Sequence, residues 1–517
     1  MTSESNSTQF WLSLKRLFLI VISVLAGLVL IQSLLSSWNQ PQVANQLQLA
    51  QTDLLLEASA WKGEGLPEDQ WPLLREGLLG KEPVAMAKKQ YEQVRQDAVD
   101  AVAKSSASLT ADGLVDEADT GKPLPRRHQT AVDQQTALIQ ALDLRLGLIA
   151  AYQGNTAAAI TRWQQVRDGE TAPAPIVRTA DTLIRLWQDS QPAPEDDAGL
   201  MQTLDGWFEY RALDKLYAVA GRESDRTQLQ TQEQTTAKAK LLKLTLVGTL
   251  PTIGALAGIG LIIWLIIQRV TRGSQALLRQ NADLSWNIPW TGETIWQVLI
   301  VGFFFVGQIA LPLILGSLGL GGAELSNRGR AIFALVYYLL MAAGGLGVLW
   351  VSIRPHRPIP EDVFRFRLSG PGLLWGLGGY LVALPLMFGV SLLNQQIWQG
   401  QGGSNPLLQT VLDEQDPVAL VVFFLTAAVA APLFEEFLFR GFLLPSLTKY
   451  MSVGWAIALS SFIFAAAHLS LSEVLPLMLL GAILGFVYTR SRNLLSPMVL
   501  HSAWNSVTML GLFILGG

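Results

Sequence analysis

The chain of 517 residues contains no cysteine. This absence excludes disulfide bonds, a cysteine nucleophile and zinc sites built on thiolates, and it leaves the redox compartment undetermined. Charged residues are also few, at 15% of the chain against about 25% in soluble proteins. The net charge of −4 is too small to indicate a nucleic-acid-binding surface, so we expect no nucleic acid as a partner. Histidine is scarce as well, and the four present are His128, His356, His468 and His501.

Half of the residues are hydrophobic, and many of them fall into long uninterrupted runs. A helix needs about 20 apolar residues to cross the hydrocarbon core of a bilayer. Nine runs approach that length, at 17–35, 245–267, 294–320, 331–353, 371–393, 416–439, 453–470, 474–489 and 494–516. The composition therefore predicts an all-α, polytopic integral membrane protein with about eight or nine transmembrane helices.

The first run follows Lys15 and Arg16 and predicts an N-terminal anchor over residues 1–37. It is longer than the apolar part of a typical signal peptide, and no A-x-A cleavage site follows it, so we expect an uncleaved signal anchor. If Lys15 and Arg16 lie inside, alternating spans place nearly all Lys and Arg of the short loops inside, and only Arg328 and Arg330 outside. This topology places residues 38–240 and the C-terminus outside. Such a chain suits a bacterial plasma membrane or a thylakoid-type membrane.

Residues 38–240 contain no run that spans a bilayer, and their apolar residues recur with helical spacing. We therefore predict a soluble helical domain inserted after the first helix. Its clearest pattern is a helical hairpin over 142–166, which Gly154 interrupts. The hairpin resembles a tetratricopeptide repeat at Leu146, Gly147, Gly154, Ala159 and Trp163. Neighbouring units at 34-residue spacing are not found. An ordinary hairpin and a repeat-like module that binds a protein partner are therefore both open.

The remainder divides into an N-terminal transmembrane bundle, 241–414, and a C-terminal core, 415–517, in which polar residues interrupt the apolar runs. The first interruption is "APLFEEFLFRGFL", residues 431–443. Each charge near a bilayer centre costs at least ~2.5–3.5 kcal/mol, so such charges pair, face protein or do chemistry. Glu436 and Arg440 have i, i+4 spacing and can pair. Glu435 points about 100° away from Glu436, which leaves its carboxylate available as a general base.

Three further polar residues follow in the last helices. His468 ends "FIFAAAH", and His501 and Asn505 lie one helical turn apart in "HSAWN". An imidazole and a carboxamide on one face can together stabilise an oxyanion. In straight helices, however, His468 and His501 would differ in depth by roughly 15 Å at 1.5 Å per residue. A common site therefore requires a tilted or re-entrant helix at 453–470, or different helix boundaries.

The succession Glu-Glu-x-x-x-Arg, Phe-x-x-x-His and His-x-x-x-Asn resembles the CPBP family of CAAX-protease and bacteriocin-processing intramembrane proteases, also called Abi proteins. The three motifs are "EEFLFR" (435–440), "FAAAH" (464–468) and "HSAWN" (501–505). The resemblance implies an intramembrane endopeptidase that acts on membrane-associated or prenylated-type peptides and needs no cofactor. It implies that Glu435 and His468 activate a water and that His501 and Asn505 form the oxyanion hole. It gives Glu436 and Arg440 a supporting role.

Two other functions remain open. Glu435, His468 and His501 are also a possible ligand set for Zn²⁺ in a membrane metallopeptidase. The chain lacks the HExxH motif in which one helix supplies both zinc-binding histidines. The third hypothesis is a non-enzymatic membrane scaffold that binds a partner through residues 38–240.

Overall fold

The computed structural model describes residues 2–38, 43–67, 69–111, 126–169, 172–320, 325–398, 401–404, 410–411 and 416–516. Within these ranges the regular elements are helices, and none is a β-strand. The predicted all-α class is therefore confirmed. The chain forms two compact units, one made of Met1–Gln42 and Pro251–Gly517 and the other of Val43–Leu250.

The first unit holds the membrane-spanning helices. Eight helices in the described part of the chain are long and apolar enough to cross a bilayer: Ser13–Ser37, Glu223–Gln275, Gly292–Ser317, Asn327–His356, Gly372–Trp398, Pro417–Leu447, Leu471–Ser491 and Leu495–Leu515. A further apolar helix, Val453–Ala466, is shorter. The prediction of eight or nine helices is confirmed, and the protein is an integral multi-pass membrane protein.

Local signals at the helix ends explain where two of these helices begin. Pro417 occupies the first turn of its helix, where a missing N–H costs nothing. The carboxylate of Asp416 accepts a hydrogen bond from the Val418 N–H at 2.9 Å and so caps that turn. Ser326 caps the Asn327–Ile353 helix in the same way, by accepting from the Gly329 N–H at 3.3 Å. Both helices therefore start at polar residues just outside the apolar runs.

The Val453–Ala466 helix corrects one predicted boundary. It has 14 residues, about 21 Å, which is too short for the ~30 Å hydrocarbon core of a bilayer. The predicted spans at 453–470 and 474–489 are wrong at this junction, because the first helix ends at Ala466 and the next begins at Leu471. Between them the backbone turns at Leu469, whose φ is +59°. His468 therefore lies in a turn and not at the far end of a full-length span.

The second unit is built from a succession of helices. They are Val43–Ser59, Gln70–Leu79, Pro83–Ala111, Arg126–Tyr152, Thr156–Arg167, Ala174–Ile184, Asp196–Thr203 and Gly206–Val219. The helix Glu223–Arg272 contains the boundary with the membrane unit, which falls at 250/251. The sequence predicted a soluble domain over residues 38–240, whereas the compact unit in the structure comprises Val43–Leu250. The predicted division at 414/415 lies outside the described residues, and 251–517 forms part of one unit.

The predicted hairpin over 142–166 is confirmed. Gly154 has a φ of +84°, and the Asn155 side chain accepts from the Ala158 N–H at 3.2 Å to start the second helix. Gly147 lets the two helices approach, because a Cβ there would lie 2.2 Å from Nε1 of Trp163. That indole N–H donates to the Leu144 carbonyl at 3.1 Å. A binding role for this hairpin stays a prediction.

A polar network joins three helices of this unit. The Tyr91 hydroxyl donates to Oδ1 of Asp53, and Arg145 Nη1 lies 3.7 Å from Oδ2 of the same carboxylate. Arg145 also pairs with Asp205, at 2.8 Å between Nη2 and Oδ1. Burial raises the pKa of Asp53 to about 6, and the guanidinium of Arg145 opposes that rise. This carboxyl group therefore changes charge near neutral pH.

Candidate active site

The Pro417–Leu447 helix, here the glutamate helix, carries Glu435, Glu436 and Arg440. Two stretches of it are π-helical, Leu425–Ala430 and Phe437–Leu443, on either side of the two glutamates. Such widened turns in α-helices are rare and occur frequently at functional sites. A widened turn rotates the side chains that follow it away from their regular α-helical positions. The two glutamates therefore lie between two irregular stretches of a long membrane helix.

Glu436 and Arg440 form the predicted i, i+4 pair. Nη1 of Arg440 donates to Oε1 of Glu436 at 2.7 Å, and neither side chain has any exposed surface. The same guanidinium donates through Nη2 to the Gly481 carbonyl at 3.0 Å and lies 4.6 Å from the ring centroid of Phe464. These contacts compensate part of the cost of enclosing two charges. A Cβ at Gly481 would lie 3.0 Å from the Cβ of Ser461 and 3.3 Å from Nη2, so the glycine leaves room for both neighbours.

His501 connects the two glutamates. It lies on the Leu495–Gly516 helix, here the His501 helix, and its Nδ1 is 2.8 Å from Oε1 of Glu436. Because a carboxylate oxygen only accepts, the bond to ionised Glu436 places the proton on Nδ1. The other ring nitrogen, Nε2, then faces Oε2 of Glu435 at 4.0 Å. Glu436 thus orients the imidazole so that its second nitrogen lies beside Glu435.

His468 reaches the same region through Phe464. The ring centroid of Phe464 is 5.0 Å from that of His468 and 5.9 Å from that of His501. The depth difference expected for straight helices is therefore wrong, because the helix carrying His468 is short and both imidazoles pack on one phenyl ring. Nδ1 of His468 donates to the Phe464 carbonyl at 2.9 Å. That bond sets the ring orientation of His468.

Asn505 lies one turn after His501 and contacts the backbone of the glutamate helix. Its Nδ2 donates to the Ala427 carbonyl at 2.7 Å. In this π-helical stretch the Ala431 N–H bonds to the Thr426 carbonyl, five residues back. The next donor in that pattern is Pro432, which has no N–H. Asn505 therefore supplies the donor that the proline lacks, and it retains a second amide N–H.

Tyr338 is a contact that the motifs did not predict. Its hydroxyl donates to Oε1 of Glu435 at 3.1 Å from the Asn327–Ile353 helix, here the Tyr338 helix. The two residues are 97 positions apart, and a tyrosine in an apolar run has no spacing that relates it to a distant glutamate. Only the three-dimensional packing of the helices identifies it.

The six residues predicted for the site therefore differ in their contacts. Glu435, Glu436, Arg440 and His501 lie together, whereas His468 is linked to them through Phe464 and Asn505 through the backbone at Ala427. In the described ranges, no group of three or more His, Asp or Glu side chains is placed to hold a metal ion. Glu435 is 16% exposed, so it combines a partly open carboxylate with a nearby buried imidazole. This arrangement can hold and deprotonate a water molecule.

Comparison with protein families adds independent support. Residues 417–507, which contain all three motifs, match the family described as type II CAAX prenyl endopeptidase Rce1-like. This match and the names of the curated relatives support the assignment of the C-terminal membrane region to the CPBP peptidases. The membrane peptidase predicted from the motifs is thereby confirmed at the level of the family.

Two curated bacterial proteins are similar to the chain. The putative membrane peptidase YdiL of Bacillus subtilis is 22% identical over 209 residues, which is 40% of this chain and 83% of the relative. The membrane-embedded CAAX protease MroQ of Staphylococcus aureus is 23% identical over 226 residues, which is 42% of this chain and 89% of the relative. No solved structure matches the chain. The alignments with these two relatives leave more than half of the chain uncovered.

Proposed function

We propose that this protein is an intramembrane endopeptidase in which Glu435 activates the water that cleaves the peptide bond. The observation that supports this proposal most directly is the 4.0 Å separation between Oε2 of Glu435 and Nε2 of His501, which come from different helices. This separation exceeds a direct hydrogen bond and suits a water that contacts both atoms. Glu436 cannot take the same role, because it is fully enclosed and paired with Arg440.

In the proposed reaction, Glu435 accepts a proton from the water while the water oxygen attacks the scissile carbonyl carbon. The resulting tetrahedral intermediate carries a negative oxygen, to which the second N–H of Asn505 donates a hydrogen bond. His501 can donate to the same oxygen through Nε2 once this nitrogen carries a proton in addition to the one on Nδ1. The C–N bond then breaks, and the proton on Glu435 passes to the leaving amine. The products are a carboxylic acid and an amine. His468 assists Glu435 in holding the water.

The proposed supporting residues act on His501. Glu436 fixes the orientation of the imidazole through Nδ1, and Arg440 neutralises Glu436. A metal-ligating or catalytic histidine is commonly oriented in this way by a carboxylate on its other nitrogen. The charge of Arg440 also offsets the repulsion between the two adjacent carboxylates.

The proposed substrates are membrane-associated peptides or proteins, with prenylated C-termini as the first class to test. The family description names prenyl endopeptidases, and the Staphylococcus relative is named a CAAX protease. A prenyl chain partitions into the bilayer and would bring an attached C-terminal peptide to a site within it. Comparing protein N- and C-termini between cells that carry wild-type protein and cells that carry Glu435→Gln would identify other substrates.

Purified full-length protein in lipid vesicles, incubated with a farnesylated peptide that ends in a Cys-aliphatic-aliphatic-X sequence, tests the proposal. Wild-type protein should release the C-terminal tripeptide, and Glu435→Gln should lower the rate about 10²- to 10⁴-fold, the contribution of a general base. Glu361→Gln is the matched control, because Glu361 is an exposed glutamate outside the site. Full activity of Glu435→Gln would refute the proposal. Complementation of a deletion strain by that variant would favour a scaffold.

A further inference from the structure

The carboxylate of Glu435 has two different neighbours. Oε1 accepts the hydrogen bond from the Tyr338 hydroxyl at 3.1 Å, and Oε2 faces Nε2 of His501. Tyr338 lies outside residues 417–507, which match the family. The donor to the proposed general base therefore comes from a helix on which no family motif was found.

The packing around Tyr338 gives its hydroxyl a defined position. Its ring meets that of Phe434, the residue before Glu435, edge-to-face with 6.1 Å between centroids. Gly345 on the same helix brings the backbone close to Phe434, since a Cβ there would lie 3.2 Å from the Phe434 ring and 3.1 Å from the Gly302 carbonyl oxygen. The Tyr338 helix thus packs directly against the segment that carries Glu435.

A glutamate carboxylate rotates readily about its last side-chain torsion, which has a broad energy minimum. A donor bound to one oxygen restricts that rotation and determines where the other oxygen points. We propose that Tyr338 is a positioning residue for Glu435, whose hydroxyl holds Oε1 so that Oε2 faces the water beside His501. This inference rests on the proposed function and extends it to a residue beyond the family motifs.

The neighbouring residue provides a matched control. The Tyr337 hydroxyl donates its proton to the Gly307 carbonyl at 2.6 Å and not to Glu435. Tyr338→Phe and Tyr337→Phe each remove one hydroxyl, and one hydrogen bond, from the same helix. A general effect of losing a tyrosine hydroxyl should appear in both variants, whereas an effect on Glu435 should appear only in Tyr338→Phe.

Kinetics in lipid vesicles with the farnesylated peptide test the role. We expect Tyr338→Phe to lower kcat about 10- to 100-fold, because a misplaced catalytic group can cost about that much. KM should not change, since no substrate contact is removed, and Tyr337→Phe should behave as wild type. An unchanged kcat, or a rise in KM alone, would overturn the proposal. Full activity of Glu435→Gln would instead overturn the proposed function.

An infrared measurement tests the contact without any substrate. Loss of the hydroxyl should shift the carboxylate stretching band of Glu435 in the difference spectrum between wild type and Tyr338→Phe. The same substitution made in a Glu435→Gln background should give no such band. Identical difference spectra in the two backgrounds would show that Tyr338 does not bond to Glu435 and would overturn the inference.

Discussion

Glu436 and Arg440 are one helical turn apart, and their 2.7 Å ion pair is completely enclosed by protein. Oε1 of Glu436 accepts from both Arg440 and His501, so this single oxygen joins the ion pair to the proposed catalytic histidine. Removing one partner of a buried pair leaves an uncompensated charge, and that is strongly destabilising. We therefore expect the loss of either partner to lower the stability of the fold, in addition to any effect on the reaction.

The first prediction concerns Arg440→Met. We expect the free energy of unfolding to fall by about 3–5 kcal/mol, because the buried Glu436 loses its positively charged partner. Adding Glu436→Gln should restore much of this loss. Unfolding in detergent micelles, followed by intrinsic tryptophan fluorescence, measures both effects. The control is Arg279→Met, since Arg279 and Asp283 have the same i, i+4 spacing but exposed side chains. Equal losses in the two single variants would contradict the prediction.

A second prediction separates the structural role of Asn505 from its proposed catalytic one. Asn505→Ala leaves the Ala427 carbonyl without its donor, which should cost about 1–3 kcal/mol of unfolding free energy. In a Pro432→Ala background, the new N–H at position 432 can bond to that carbonyl, so the loss should be smaller. The same detergent unfolding measurement applies. A loss of equal size in both backgrounds would show that the proline is not the reason for the contact.

The Pro432→Ala background also allows a kinetic test of the catalytic role proposed for Asn505. The double variant Pro432→Ala with Asn505→Ala should fold and yet lack the carboxamide proposed to contact the oxyanion. If Asn505 donates to the intermediate, kcat should remain about 10²- to 10³-fold below that of Pro432→Ala alone. Equal rates would restrict Asn505 to its backbone contact.

A third prediction addresses the zinc alternative. Zinc requires ligand atoms at about 2.0–2.2 Å, and catalytic sites use three protein ligands. In the described ranges, no group of three or more His, Asp or Glu side chains is placed to supply such a ligand set. We therefore expect purified protein to contain no stoichiometric zinc by elemental analysis and to keep its activity after chelation. Bound zinc whose removal stops turnover would reverse this expectation and favour a metallopeptidase.

The features that depend only on residues close together in the sequence were the most predictable. Long apolar runs predicted the membrane helices, and i, i+4 spacing predicted the Glu436–Arg440 pair, because both follow from the geometry of a single helix. Gly154 predicted the turn of the soluble hairpin for the same reason. These elements need no knowledge of which helices meet.

Features that depend on packing between helices were not predictable. The predicted span at 453–470 did not show that the helix ends at Ala466 and that His468 lies in the turn that follows. The contact of Tyr338 with Glu435 joins residues that are 97 positions apart. The role of Pro432 emerged only once the π-helical bonding pattern and the position of Asn505 were known together.

The last prediction concerns the pH dependence of the soluble unit. The pKa of Asp53 is raised by burial to about 6, from 3.8 in an exposed carboxyl, although Arg145 opposes the shift. Between pH 4 and pH 6 the folded state therefore binds more protons than the unfolded state, so stability should fall as pH rises, by at most about 1.4 kcal/mol per pH unit. Asp53→Asn should reduce this slope, and Glu57, whose pKa is also raised by burial, should keep part of it, whereas Asp189→Asn, at an exposed aspartate, should leave the slope unchanged. Urea titrations of full-length protein with pulse proteolysis measure the slope, and parallel curves for wild type and Asp53→Asn would contradict the assignment.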